Sequence, residues 1–293
     1  MIVDKIYNYI NSSGKEVNKE ILEEARERFG HTIKRQFMED DDRDRSGSIY
    51  PSQMGKKCAR QLSYKYHGVE YESDMAPRTK VKFFLGDLSE LGVLALGKLA
   101  GLDLGLSQSK LNIEVNGFKS HGYIDGLLYD NDGEPYIVEI KSKGKYGFRE
   151  FEKSGFKDSP AYMTQINLYM RNLNIDKGIF LVINTDSGHL SERVVQYDQK
   201  YVDMAKDNVN TVVDSSVDDL PQRLHKINDF KWMSRKECYE VNDYRCSYCD
   251  YIDQCWGNVT TEVVSGKPKK RLYIEDYDNF PKEVRDQISL EEL

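Results

Sequence analysis

The chain runs to 293 residues with a formal net charge of −7, and 31% of its residues are charged against 39% hydrophobic. That length allows one elaborated domain or two ordinary ones, and 11% aromatic content, including 20 tyrosines, sets the chain apart from disordered sequences. No stretch approaches the ~20 apolar residues of a membrane span; the nearest, from Leu91 to Leu106, is interrupted by Lys98 and Asp103.

In chain order, the N-terminal MIVDKIYNYI lacks a basic segment leading into an apolar run, so no secretory signal is expected. Residues 18–39 read as a charged helix with Ile21, Leu22, Ala25 and Phe29 at helical spacing. A charge-mixed loop follows over 39–48. Ser52 is placed to cap a short helix running through Tyr66 with Cys58 inside it. A longer helix covers 80–100, with Phe84, Leu88, Leu91 and Ala95 on one buried stripe. Strands are expected at 109–115, 119–130 and 134–143, the last two joined as a hairpin around Asn131, Asp132 and Gly133. Ser159 and Pro160 then open a helix to Leu173. Strands at 177–184 and 190–198 and helices at 199–215 and 217–229 follow. A cysteine-bearing loop spans 238–257, and the polar tail 258–293 yields no element. The order predicts an α/β core around a mixed sheet.

Alternation of side chains along a strand puts Glu139 and Lys141 on one face. Asp125, on the preceding arm of the hairpin, lies beside them. Two carboxylates and an ammonium converging on one spot suit phosphodiester hydrolysis: hard oxygen donors take Mg²⁺ or Mn²⁺, and a lysine beside the metal orients the attacking water. Glu139 follows the apolar run Tyr136-Ile137-Val138, where a carboxylate needs a partner or a metal. Gly122 and Gly126 flank Asp125 and permit close approach.

Gly122-Tyr-Ile-Asp125-Gly, then Glu139-Ile-Lys141, then Gln165-Ile-Asn-Leu-Tyr169 resembles the PD-(D/E)XK nuclease superfamily, and within it the RecB-like nucleases. The resemblance implies a restriction-endonuclease-like core, a mixed central sheet flanked by helices, over residues 50–257. It implies a third motif in Gln165 and Tyr169, one helical turn apart, which position Lys141 or the scissile phosphate. It also implies an upstream acidic ligand in Gly86-Asp-Leu-Ser-Glu90, with Glu90 as the ligand and Asp87 as its competitor. Glu90, Asp125 and Glu139 would then hold the metal, with the Ile140 carbonyl completing the shell.

Cys246-x2-Cys249-x5-Cys255, with a distant Cys58, resembles the iron–sulfur subgroup of these nucleases, which includes the AddB nuclease and the exonuclease of CRISPR adaptation. There the four thiolates hold a [4Fe–4S] cluster; the same donor set also fits Zn²⁺. Cys238 is the spare thiol. Five cysteines are too few, and odd in number, for a disulfide scaffold, which points to a reducing cytoplasm, the host's for a bacteriophage protein. A four-cysteine site would close the N- and C-terminal parts of the 50–257 core between a helical segment, 1–49, and the tail, 258–293.

The acidic net charge leaves room for a locally basic cleft. Lys141, Lys143, Lys145, Arg149, Lys153 and Lys157, and separately Lys56, Lys57, Arg60 and Lys65, interleave with Tyr64, Tyr66, Tyr146, Phe148 and Phe151. Phosphate neutralisation with base stacking is how single strands are tracked. The expected activity is a metal-dependent DNA exonuclease on single strands or duplex ends. Its rivals are a structure-specific endonuclease working with a recombination, repair or CRISPR-adaptation partner and a non-cutting DNA-binding module. No membrane association is expected.

Overall fold

A computed structural model describes residues 2–13, 15, 18–38, 46–55, 58–71, 77–105, 109–265 and 267–288. Lys56, Lys57 and residues 39–45 of the expected charged loop lie outside them. In chain order the helices are α1 (Ile2–Asn11), α2 (Lys19–Ile33), α3 (Pro51–Met54), α4 (Ala59–Tyr66), α5 (Pro77–Leu99), α6 (Lys145–Ser154), α7 (Pro160–Leu173), α8 (Gln199–Val213), α9 (Tyr244–Ser247), α10 (Ile252–Trp256) and α11 (Lys282–Arg285). The strands are β1 (Leu104–Gly105), β2 (Ser109–Val115), β3 (Phe118–Ile124), β4 (Gly126–Tyr129), β5 (Pro135–Lys143), β6 (Lys177–Asn184), β7 (Leu190–Gln196), β8 (Lys231–Met233), β9 (Cys238–Glu240), β10 (Thr260–Val264) and β11 (Lys267–Tyr273). The chain divides into two compact units, one drawn from residues 1–44, 48–56 and 75–210, the other from 45–47, 57–74 and 211–293.

The first unit holds a five-stranded sheet in the order β1-β4-β5-β6-β7. β5 and β6 are parallel and the other pairs antiparallel. A parallel pair needs a crossover, and α6 and α7 supply it. Tyr136, Val138 and Ile140 of β5 and Ile179 and Leu181 of β6 pack with Val93 and Leu94 of α5 and Ile2 and Ile6 of α1. On the opposite face Phe180 meets Phe156 edge-on at 5.1 Å. Gly178 there admits α7: a Cβ would stand 2.7 Å from Ile166 Cδ1. The mixed α/β sheet flanked by helices is thus as expected from the sequence.

Several local expectations are corrected. The 119–130 stretch is two strands, not one: β3 pairs with β2 in a separate two-stranded sheet, and β4 pairs with β5. The chain changes sheets at Asp125. The β4–β5 turn itself forms as read, with Asp130 Oδ1 accepting from the Asp132 and Glu134 amides. Ser52 is not a cap; Tyr50 is the N-cap of α3 and Pro51 its first residue. Cys58 is the N-cap of α4 rather than an interior residue. The helix expected over 18–39 gives way to a π-helical turn, Lys34–Met38.

In the second unit the sheet order is β10-β11-β9-β8, all antiparallel. Phe230, Tyr239, Ile252, Trp256, Leu272 and Phe280 form its core. The tail read as polar supplies β10 and β11, and Arg271, 3% exposed, is buried there between Glu240 and Glu262. The helix expected over 217–229 is absent except for a single 3₁₀ turn, Ile227–Asp229. Its chain is tied through irregular contacts instead: the Pro221 carbonyl accepts from Arg60, and Arg223 donates to the Cys255 carbonyl. The 238–257 loop contains β9, α9 and α10.

Candidate active site

β5 is hydrogen-bonded on both sides, so its side chains leave only by the two faces. Glu139, Lys141 and Lys143 share one of them. Glu139 is 2% exposed, and its Oε1 accepts from Lys141 Nζ at 2.6 Å. Its Oε2 is buried without a hydrogen-bond partner among the described residues. Asp125 sits where β4 ends its ladder with β5, and its Oδ2 accepts from the Ile140 amide at 2.8 Å. The carboxylate thereby replaces the backbone acceptor lost where the chain turns off to the other sheet.

Glu90 reaches the same cluster from α5. Burial raises its carboxyl to about 7; Lys141 opposes the rise, and Asp125 and Asp87 add to it. Burial likewise raises Glu139; Lys141 opposes the rise, and Asp125 and Glu90 add to it. Lys141 is pushed up against its own burial by Glu139, Asp125 and Glu90, and so stays an ammonium. Asp87, the competing candidate, is engaged elsewhere: its Oδ2 accepts from Arg35 at 2.6 Å and Gln36 at 2.7 Å.

Gln165 Nε2 donates to the Tyr169 hydroxyl at 3.2 Å. Tyr169 is 2% exposed, and its phenol is raised by burial and then by Glu139. Gly122 makes this possible: a Cβ there would fall 2.5 Å from the Tyr169 hydroxyl and 2.9 Å from its Cε1. Gly122→Ala is expected to cost about 1–3 kcal/mol by overpacking. Combined with Tyr169→Phe it should cost clearly less than the two changes summed, as read by denaturant unfolding of the four proteins.

The pH dependence follows in sign from Glu90. A carboxyl raised on folding contributes stability that is complete below its unfolded value of 4.5 and lost as pH rises through about 7. The melting temperature of the metal-free chain should therefore fall more steeply over that window than that of Glu90→Gln. Parallel slopes in a thermal scan series would count against Glu90 being buried in the cluster.

The structure gives Lys143 of the basic run a partner, Tyr162, that the sequence did not mark. Lys143 Nζ donates to the Tyr162 hydroxyl at 2.6 Å and lies 4.5 Å from that ring's centroid, while Lys141 Nζ lies 5.8 Å from it. The alternation that paired Glu139 with Lys141 also marks Lys143, two residues on. Tyr162, on α7, carries no such signal. Nearby on α6, Lys145, Tyr146, Arg149 and Lys153 are exposed. The stacking expected of other aromatics is corrected: Phe148 and Phe151 are core residues at 8% and 0% exposure, and Tyr64, at 5%, stacks on Tyr251.

In the second unit Cys58, Cys246, Cys249 and Cys255 line one cavity together with Tyr64, Arg223 and Trp256. Burial pushes the Cys246 and Cys249 thiols up to about 12, and neighbouring cysteines add to it. Cys238 is fully buried in β9 and is not part of that lining. Donor atoms of His225, Asp243 and Cys246 also lie within 4.8 Å of one another. There, however, Arg245 already grips both oxygens of Asp243.

No family model matches the chain, and no curated protein does. Among solved structures it is similar to SSO0001, at 17% identity over 77% of this chain and 93% of that one, with a TM-score of 0.43. It is also similar to an alkaline exonuclease from Laribacter hongkongensis, at 18% identity over 58% and 88% with a TM-score of 0.40. A phage-related exonuclease from Haemophilus somnus 129PT gives 14% identity over 71% and 90% with a TM-score of 0.26. Likenesses at this level assign no activity to the chain. Among the described residues no helix is long and apolar enough to cross a membrane.

Proposed function

We propose that the protein is a Mg²⁺- or Mn²⁺-dependent deoxyribonuclease, cutting as an exonuclease on single-stranded DNA or duplex ends. The observation behind this reading is the Glu139 carboxylate, buried with one oxygen on Lys141 and the other without a partner among the described residues, within electrostatic reach of Asp125 and Glu90. A hard cation fits that donor set: oxygens from Glu90, Asp125, Glu139 and the Ile140 carbonyl would hold it and relieve the carboxylates' repulsion. When bound, it would polarise the phosphoryl group and lower the pKa of a water.

The chain's own side chains do the rest. Lys141, held as an ammonium, orients the attacking water and offsets the negative charge that builds on the phosphoryl oxygens. Gln165 and Tyr169, seated on Gly122, hold that lysine and the scissile phosphate in register. Lys143, fixed by Tyr162, takes the neighbouring phosphate, and the exposed residues of α6 extend the track with Tyr146 as a stacking platform. Cys58, Cys246, Cys249 and Cys255 would hold a [4Fe–4S] cluster, with Zn²⁺ as the alternative, in a structural role.

The test is incubation of purified protein with end-labelled single-stranded DNA and Mn²⁺, beside a covalently closed single-stranded circle. Cutting of the linear strand alone, lost in Lys141→Ala, supports the exonuclease. Cutting of the circle as well makes it an endonuclease. Intact linear and duplex DNA, with binding unchanged in Lys141→Ala, sinks the catalytic reading. Iron and zinc content of the same anaerobic preparation separates the cluster from zinc.

A further inference from the structure

The thiol-lined cavity contains a cation that neutral thiols cannot satisfy. Arg223 lines it, and its side chain is 8% exposed. Its Nε donates to the Cys255 carbonyl at 2.8 Å, its Nη1 reaches Glu283 at 3.3 Å, and its guanidinium carbon stands 5.5 Å from the centroid of the Trp256 ring. The remaining nitrogen, Nη2, is buried with no hydrogen-bond partner among the described residues. A buried N–H left unmade costs about 1–3 kcal/mol, more on a charged group, and a guanidinium cannot shed its charge to escape the cost.

The other two arginines near the thiols have committed donors. Arg60 donates to the Pro221 carbonyl and the Tyr64 hydroxyl, and Arg245 to Asp243. Arg223 alone among the three has a buried nitrogen without a partner. Thiols are weak acceptors, but thiolates joined to a metal core carry permanent negative charge and accept N–H bonds at sulfur. Such bonds, with local charge, set both the affinity and the reduction potential of a metal centre.

We propose that Arg223 is the charge-compensating donor of the four-cysteine metal centre, its Nη2 giving a hydrogen bond to a sulfur there that slows metal loss and, for an iron–sulfur cluster, raises the reduction potential. This rests on the reading of the four cysteines as metal ligands. The residue acts through the centre rather than on substrate, so it is a tuning residue and not a catalytic one.

The experiment compares the anaerobically reconstituted full chain with Arg223→Gln and Arg223→Lys. Metal release is followed with ferrozine for iron or 4-(2-pyridylazo)resorcinol for zinc, and an iron centre is also titrated for its midpoint potential. Arg223→Gln should release metal about tenfold faster or more, the range for losing an outer partner of a metal ligand. Arg223→Lys, which keeps the charge but not the planar fork, should fall between. In an iron centre the glutamine variant should need a lower potential for half-reduction, which a purely structural role for the arginine would not produce. Equal release rates in all three proteins overturn the proposal, as does an unchanged midpoint potential. If Arg223→Gln does not fold, the lysine variant decides by its release rate alone. A wild-type chain that takes up neither iron nor zinc overturns the cysteine reading itself, and that failure is seen in the metal analysis before any Arg223 variant is made.

Discussion

Glu139→Gln is expected to lower metal-dependent cleavage by about 10²–10³-fold or more, the scale for deleting one preorganised electrostatic contact in a reaction centre. Two readouts make the result specific. Burial already pushes Glu139 toward its neutral form, so the amide is a near match for the metal-free state. The metal-free variant should melt within a few degrees of wild type. The gain in melting temperature on adding Mn²⁺, which measures preferential binding to the folded chain, should collapse. A variant that keeps that gain while losing cleavage would move Glu139 out of the metal shell. One that keeps cleavage would end the nuclease reading of this site.

Cys249→Ala is the second large effect. Metal binding to a four-thiolate site is folding free energy, about 10–16 kcal/mol for structural zinc in small peptides, against about 5–15 kcal/mol for the net stability of a whole domain. Loss of one of the four ligands should strip the centre of most of its metal and make the segment 211–293 sensitive to protease. Cys238→Ala is the control. That thiol is fully buried in β9 and is not among the residues lining the cavity, so its loss should cost only a small void, on the order of 1 kcal/mol, with metal content unchanged. Equal metal content in both variants would show that the cavity does not bind metal through Cys249.

What the sequence made legible were features with a short period. Alternation along β5 placed Glu139 and Lys141 on one face, and helical spacing placed Gln165 and Tyr169 in reach of each other. The change of sheet at Asp125 was not legible, because both arms alternate as strands and only their pairing partners differ. β10 and β11 were missed because their residues are mostly polar, and Arg271 is buried only through Glu240 and Glu262 from other strands. Phe148 and Phe151 read as surface aromatics among lysines; the amphipathic α6 turns those two inward and leaves Tyr146 outside. Asp87 and Glu90 were indistinguishable as letters, and the π-helical turn carrying Arg35 and Gln36 separates them. Arg223 belongs to no motif; what marks it is one buried nitrogen without a partner among the described residues.

The division of the chain has a bearing on synthesis. The second unit takes Cys58 from residues 57–74 and its other cysteines from residues 211–293, with Cys246 lying 188 positions after Cys58. At ~5–20 residues per second, the ribosome needs roughly 10–40 s to make that interval. During it, Cys58 waits as a lone thiol while the residues of the first unit emerge. The four-thiol cavity is therefore completed only after Cys255 has emerged, and a metal held there would be taken up after the residues of the first unit have been made.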